Sequence, residues 1–128
     1  MTYTVLVFTT IVIERRGILE TFISFFGGQS MRESKYQYDL IKKIYDCLPG
    51  CLIIKNDPSK IQGIPDLLVL YEDRWAMLEV KRSINEDAQP NQEYYVKTLN
   101  QMSFAAFIYP ENEEEVLDAL QSAFGLKR

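Results

Sequence analysis

The sequence contains no histidine. That absence excludes Ser-His-Asp hydrolases, HEXXH metalloproteases, His-dependent nucleases, haem held through histidine, and zinc sites built from two cysteines and two histidines. Any metal must be held mainly by oxygen, which points to magnesium or manganese. Cysteine is scarce. Cys47 and Cys51 are too few for a disulfide scaffold or a four-thiolate zinc site. They read as reduced core residues of an intracellular, cytoplasmic protein (host cytoplasm if the chain is viral). No apolar run reaches transmembrane length, because Glu14, Arg15 and Arg16 interrupt the first one. The start also lacks the basic segment of a signal peptide. There is no internal repeat and no low-complexity tract.

What is present suits one globular domain: 128 residues, 47% of them apolar. The formal charge of −4 argues at first against a nucleic-acid partner. Its distribution weakens that argument. Five of the eighteen acids fall between Glu111 and Asp118, where they favour a solvated helix start. From Met31 to Arg82 nine basic residues face eight acids. A cation that neutralised three of those acids would leave that stretch distinctly basic. Charge alone neither excludes a polyanion nor demonstrates one.

Thr2 to Ile13 is β-branched and reads as a strand, and Gly27-Gly28 then breaks the chain. Ser30 can cap a helix from Met31 to Leu48 with an apolar stripe of Tyr36, Leu40, Ile41, Ile44, Tyr45 and Leu48. Pro49-Gly50 ends it. Cys51 to Lys55 is a short strand and Asn56 to Gly63 a polar loop. Asp66 to Tyr71 and Trp75 to Lys81 are strands joined by a tight hairpin at Glu72-Asp73-Arg74. Both are apolar on both faces, as strands covered on two sides are. After a polar loop, Pro90 opens a helix to Met102, buried through Tyr95, Val96, Leu99 and Met102. Phe104 to Tyr109 is a further strand. Pro110 opens a last helix with a face of Val116, Leu117, Leu120 and Phe124. The order helix, three strands, helix, strand, helix predicts an α/β fold: a small α/β/α sandwich with a central mixed four-stranded sheet.

Residues 1–30 differ in style from residues 31–128, which carry the globular pattern. Two readings stay open. The codons for Gly27-Gly28 can spell GGAGG, a ribosome-binding sequence just upstream of Met31, so the first thirty residues would lie outside the native product. Alternatively they are a genuine extension, an added strand or a dimer arm. Codons that cannot spell that sequence would remove the first reading.

The chemically informative stretch is Gly63-Ile64-Pro65-Asp66 followed by Glu79-Val80-Lys81. Side chains along a strand alternate, so Glu79 and Lys81 share one side and Val80 takes the other. Pro65 suits a strand start, where no ladder hydrogen bond is required of it. In an antiparallel hairpin Asp66 comes within a few ångströms of Glu79. Two carboxylates and an ammonium meeting there are costly without compensation, and a divalent cation would supply it. The lysine then faces a water nucleophile or a phosphate oxygen. Oxygen-held metal plus lysine is equipment for phosphodiester hydrolysis without histidine. By composition alone such a spacing arises in on the order of a few per cent of chains this size, so its weight comes from its place on adjacent strands. The plainer reading is a surface Glu79–Lys81 ion pair with Asp66 capping a turn. Glu33 lies on the helix stripe with Gln37 and Leu40 and can complete the metal shell, or it can close a capping box with Ser30. Gln92 lies on the stripe of Tyr95, Val96 and Leu99, where an amide needs a partner. The active site is one candidate and solvent at a first helical turn is the other.

These residues resemble the PD-(D/E)XK nucleases, and within them the stand-alone VRR-Nuc type of phages and bacteria, relatives of Holliday-junction resolvases. The resemblance spans about Met31 to Leu120. It rests on Gln62-Gly63-Ile64-Pro65-Asp66 and Glu79-Val80-Lys81, with Glu33 and Gln92 as softer matches. The family often has a glycine before its last core strand, where this chain has Met102-Ser103. The resemblance implies a restriction-endonuclease-like αβββαβ core and a Mg²⁺-dependent endodeoxyribonuclease (Mn²⁺ substituting) that leaves a 5′-phosphate. It implies Asp66, Glu79 and the Val80 carbonyl as metal ligands, with Glu33 as a further one. Lys81 would position or activate the water, assisted by Glu33 and Gln92. It also implies a homodimer acting on branched or junction DNA. Alternatives are a less selective or nicking phage endonuclease and, outside enzymes, a catalytically inactive nuclease-fold DNA-binding module. Lys35, Lys55, Lys60, Arg74 and Arg82 are scattered phosphate-contact candidates, or ordinary surface residues.

Overall fold

The computed structural model of the protein describes residues 5–7, 10–13 and 31–126, with side chains described from residue 35. In chain order the elements are β1 (Val5–Val7), β2 (Thr10–Ile13), α1 (Met31–Cys47), β3 (Leu52–Asn56), β4 (Leu67–Tyr71), β5 (Arg74–Val80), α2 (Pro90–Met102), β6 (Phe104–Ile108) and α3 (Glu113–Ala123). The six strands lie in one sheet in sequence order. Every neighbouring pair is antiparallel except β5 and β6, which run parallel with Leu78 beside Ala106 and Val80 beside Ile108. A parallel pair needs a crossover, and α2 supplies it.

The fold is a small α/β/α sandwich around a mixed sheet, and β3 to β6 are the four central strands that the pattern predicts. The sheet is wider than predicted. Thr2 to Ile13 reads as one strand, but the described residues form two, and β2 pairs with β3 from Thr10↔Asn56 to Ile13↔Ile53. A twelve-residue run exceeds the ordinary strand of about 5–6 residues, so division is the commoner outcome. The same sheet therefore crosses the boundary between residues 1–30 and 31–128. The Gly27-Gly28 break and the Ser30 cap lie outside the described residues.

The dry core sits on one face only. Leu40, Ile41, Ile44 and Leu48 of α1, with Val116, Leu117 and Leu120 of α3, pack on Ile53, Leu67, Val69, Ala76, Leu78, Val80 and Ile108. The helical spacing of the α1 apolar residues forms this stripe, and alternation along the strands supplies its counterpart. After α1, Pro49 and Gly50 form a turn closed by Cys51 N–H donating to the Leu48 carbonyl at 3.0 Å, and Gly50 supplies the positive φ of 92 that the turn requires. The Gln121 amide donates to the Cys47 carbonyl at 3.0 Å and closes the C-terminal end of α1. Cys47 and Cys51 form no disulfide.

Three local expectations are corrected. The β4–β5 turn holds only Glu72 and Asp73, because Arg74 pairs with Tyr71, and Glu72 takes a positive φ of 54 as a two-residue hairpin requires. The last helix begins at Glu113 rather than at Pro110. The Asn112 side chain first accepts from Tyr109 N–H at 2.9 Å and donates to the Phe107 carbonyl at 3.0 Å, which fixes the turn before the helix. On the other face of the sheet, α2 has no fully buried residue, and Met102 is 69% exposed. Met102 is the last residue of the helix, directly before the chain enters β6. No helix among the described residues is long and apolar enough to cross a membrane.

Candidate active site

The site lies at one end of the β4–β5 hairpin, where Glu79 and Lys81 face α2. The register Leu67↔Leu78 carried one step further sets Asp66 beside Glu79. Asp66 is fixed before β4 begins. Asn56 N–H donates to the Asp66 carbonyl at 2.9 Å, and its side-chain amide donates to the Pro65 carbonyl at 2.9 Å. Gly63 has φ 90, and a Cβ there would stand 2.4 Å from the Asn91 Cβ. Only glycine lets this loop press onto the first turn of α2, so the spacing Gly63-Ile64-Pro65-Asp66 brings the carboxylate to the helix that carries Gln92.

The Asp66 carboxylate is held at both oxygens. Oδ2 accepts from Val80 N–H at 2.9 Å, and Oδ1 accepts from Lys55 Nζ at 3.0 Å. An ionised carboxylate has about four lone-pair positions, so these bonds leave acceptor capacity for a cation. Glu79 is 4% exposed. Its Oε1 accepts from Gln92 Nε2 at 2.8 Å, while Oε2 is buried with no hydrogen-bond partner among the described residues. Burial, and secondarily the Asp66 charge, push the Glu79 carboxyl up to about 8, against the opposing pull of Lys81 and Lys55.

Lys81 is 7% exposed and donates to Gln92 Oε1 at 2.8 Å and to the Asp87 carbonyl at 3.4 Å. Gln92 is the centre of this arrangement. It is the third residue of α2, and its Oε1 also accepts from Gln89 N–H at 2.9 Å in a capping box. Its two donors demand the oxygen and Glu79 demands the nitrogen, so the amide has a single satisfactory orientation. Gln92 is bonded rather than left to solvent: it caps the helix start and stands between Glu79 and Lys81.

The structure thus brings Asp66, Glu79, Lys81 and Gln92 together, with Val80 between the two strand residues. Glu33 stands in α1, but its side chain lies outside the described residues, and so does its capping box with Ser30. Among the described residues no group of three His, Cys, Asp or Glu side chains could hold a metal. Two carboxylates and one carbonyl nevertheless suit Mg²⁺, which keeps several waters and takes its remaining oxygens from substrate phosphates. The orphaned Glu79 Oε2 beside a second carboxylate is the local observation that fits a divalent cation.

The basic candidates scatter. Lys35 is exposed and pairs with Asp39 at 3.1 Å. Lys60 is exposed in the loop before Gly63. Arg82 follows Lys81, half-exposed, and pairs with Glu86 at 3.3 Å. Arg74 is at the opposite end of β5, six residues from Val80, which is about 20 Å along a strand. There it donates to the Ala123 carbonyl at 3.4 Å. Lys55 is not a surface contact at all: it is 3% exposed and bound to Asp66. Sequence reading passed over its place in the site. The signal was its parity with Ile53 in an apolar strand, which aims an ammonium at the covered face.

No family model, no curated protein and no solved structure matches this chain. A functional reading therefore rests on the motif and on the geometry around it.

Proposed function

We propose that the protein is a Mg²⁺- or Mn²⁺-dependent endodeoxyribonuclease of the PD-(D/E)XK type, related to the VRR-Nuc group. Its favoured substrate is branched or junction DNA, cut by a homodimer inside the cell. The single observation that carries the reading is the buried Glu79 Oε2 next to Asp66, without a hydrogen-bond partner among the described residues, with Lys81 held on the same side by Gln92.

Asp66, Glu79 and the Val80 carbonyl would hold the cation, with Glu33 as a further candidate. When bound, the cation supplies charge neutralisation at the phosphorus centre and makes water a better nucleophile near neutral pH. The chain does the positioning. Gln92 and the Asp87 carbonyl fix the Lys81 ammonium, which orients the attacking water and offsets charge on a non-bridging phosphate oxygen. Water oxygen bonds to phosphorus as the P–O3′ bond breaks, and the 3′ oxygen takes up a proton. The products are a 5′-phosphate and a 3′-hydroxyl. Lys35, Lys60 and Arg82 are the basic residues left to meet backbone phosphates.

A four-way junction, a flap and plain duplex, each incubated with Mg²⁺, Mn²⁺ or EDTA, test this reading. Cation-dependent cleavage that prefers the junction is the expected result. Equal cleavage of all three substrates identifies a less selective or nicking nuclease. Binding without cleavage in every cation identifies an inactive DNA-binding module and overturns the enzyme reading.

A further inference from the structure

We infer that Lys55 is a built-in counter-ion that competes with the metal for Asp66 and thereby keeps cation affinity low until substrate phosphate arrives. The inference rests on the proposed metal site. An ammonium that is 3% exposed is expensive to bury unless it is paired, and its carboxylate partner is Asp66 Oδ1 at 3.0 Å. The pair is built into the backbone. Asn56, the next residue, makes two further hydrogen bonds to Pro65 and Asp66, at 2.9 Å each, so the end of β3 is clamped onto the segment that delivers the carboxylate. Lys55 cannot swing away to solvent as a surface lysine does.

The consequence is electrostatic. With no cation bound, Lys55 neutralises the Asp66 carboxylate that stands beside Glu79. A cation entering between the carboxylates must share Asp66 with a fixed positive charge, and like charges at this spacing oppose each other strongly away from bulk water. Two phosphate oxygens from DNA restore the balance, so cation and substrate bind more tightly together than either does alone. Lys55 is a positioning residue: it acts through Asp66 and touches no reacting atom.

Lys55→Met removes the charge and keeps the length and the apolar stem. Titrating Mn²⁺ by calorimetry without DNA is expected to show on the order of tenfold tighter binding in K55M than in the wild type, with a lower melting temperature in EDTA. Lys55→Arg keeps the charge and is expected to retain wild-type affinity. If K55M does not fold, Lys55→Gln, which retains a donor, is measured in the same way. A merely structural lysine gives the opposite sign, because loosening Asp66 weakens Mn²⁺ binding. Unchanged or weaker affinity in the neutral variants therefore overturns the inference. The absence of saturable Mn²⁺ binding in the wild type overturns instead the metal site on which the inference rests.

Discussion

The two faces of the β4–β5 hairpin are built from alternate residues of the same strands, and they have opposite characters. Toward α1 and α3, Leu67, Val69, Ala76 and Leu78 are each 0% exposed and Val80 is 3% exposed. Toward α2, Leu68, Leu70, Trp75 and Met77 are only half-buried, and the fully enclosed groups there are Glu79 and Lys81. The first face carries the apolar burial that offsets chain entropy. The second can then enclose a carboxylate oxygen with no partner among the described residues, a condition that costs stability and that a cation would relieve. One face holds the fold and the other holds a buried oxygen without a partner among the described residues.

The sharpest break of this comparison is by activity. Glu79→Ala and Lys81→Ala are expected to lower junction cleavage in Mg²⁺ by at least about 10²–10³-fold, with the fold and DNA binding largely retained. Full cleavage by either purified variant contradicts the assignment. By stability the contrast reverses. Leu40→Ala, on the dry face, is expected to cost about 2–5 kcal/mol in urea unfolding. Leu68→Ala, on the α2 face, should cost less than half as much, and equal losses would erase the distinction between faces. Gly63→Ala strains a left-handed backbone and drives a methyl into Asn91, at about 1–3 kcal/mol. Mn²⁺ affinity should fall with it if the loop positions Asp66.

The smallest effect is a pH slope. Glu79 ionises near 4.5 in the unfolded chain and near 8 in the folded, metal-free protein. Its contribution is intact below pH 4.5. Between 4.5 and 8 the unfolded chain gives up the proton and the native state retains it, so stability falls as pH rises through that window and levels off above 8. Melting temperatures in EDTA should show this decline in the wild type and a flatter profile in Glu79→Gln. Identical profiles would show that the Glu79 carboxyl is not the group responsible.

Local spacing made the order of elements from Met31 onward legible, because stripes of period 3.6 and alternation of period 2 report which face is covered. The same alternation put Glu79 and Lys81 on one side, and the proline ahead of Asp66 marked the strand start. What stayed hidden is non-local. Lys55 looked like one more scattered base, since its pairing with Asp66 depends on a loop folding back over eleven positions. The tight seat of Gly63 on Asn91 depends on a helix that begins twenty-seven residues later. Met102 is exposed at the end of α2, and a stripe of apolar residues does not encode where along a helix cover ends. The added hairpin of β1 and β2 was missed because two short strands and one long strand share the same β-branched composition.

Asp66 and the Glu79 oxygen that has no partner among the described residues are proposed to grip a hard divalent cation. Calorimetric titration of Mn²⁺ at pH 7 in buffers of different ionisation heat tests this directly. Saturable binding that releases about one proton is expected, because the raised Glu79 carboxyl must ionise to coordinate. Both the heat and the proton release are expected to vanish in Glu79→Gln and to weaken sharply in Asp66→Asn. No saturable binding, or binding that survives both substitutions without loss, would contradict the proposed cation site.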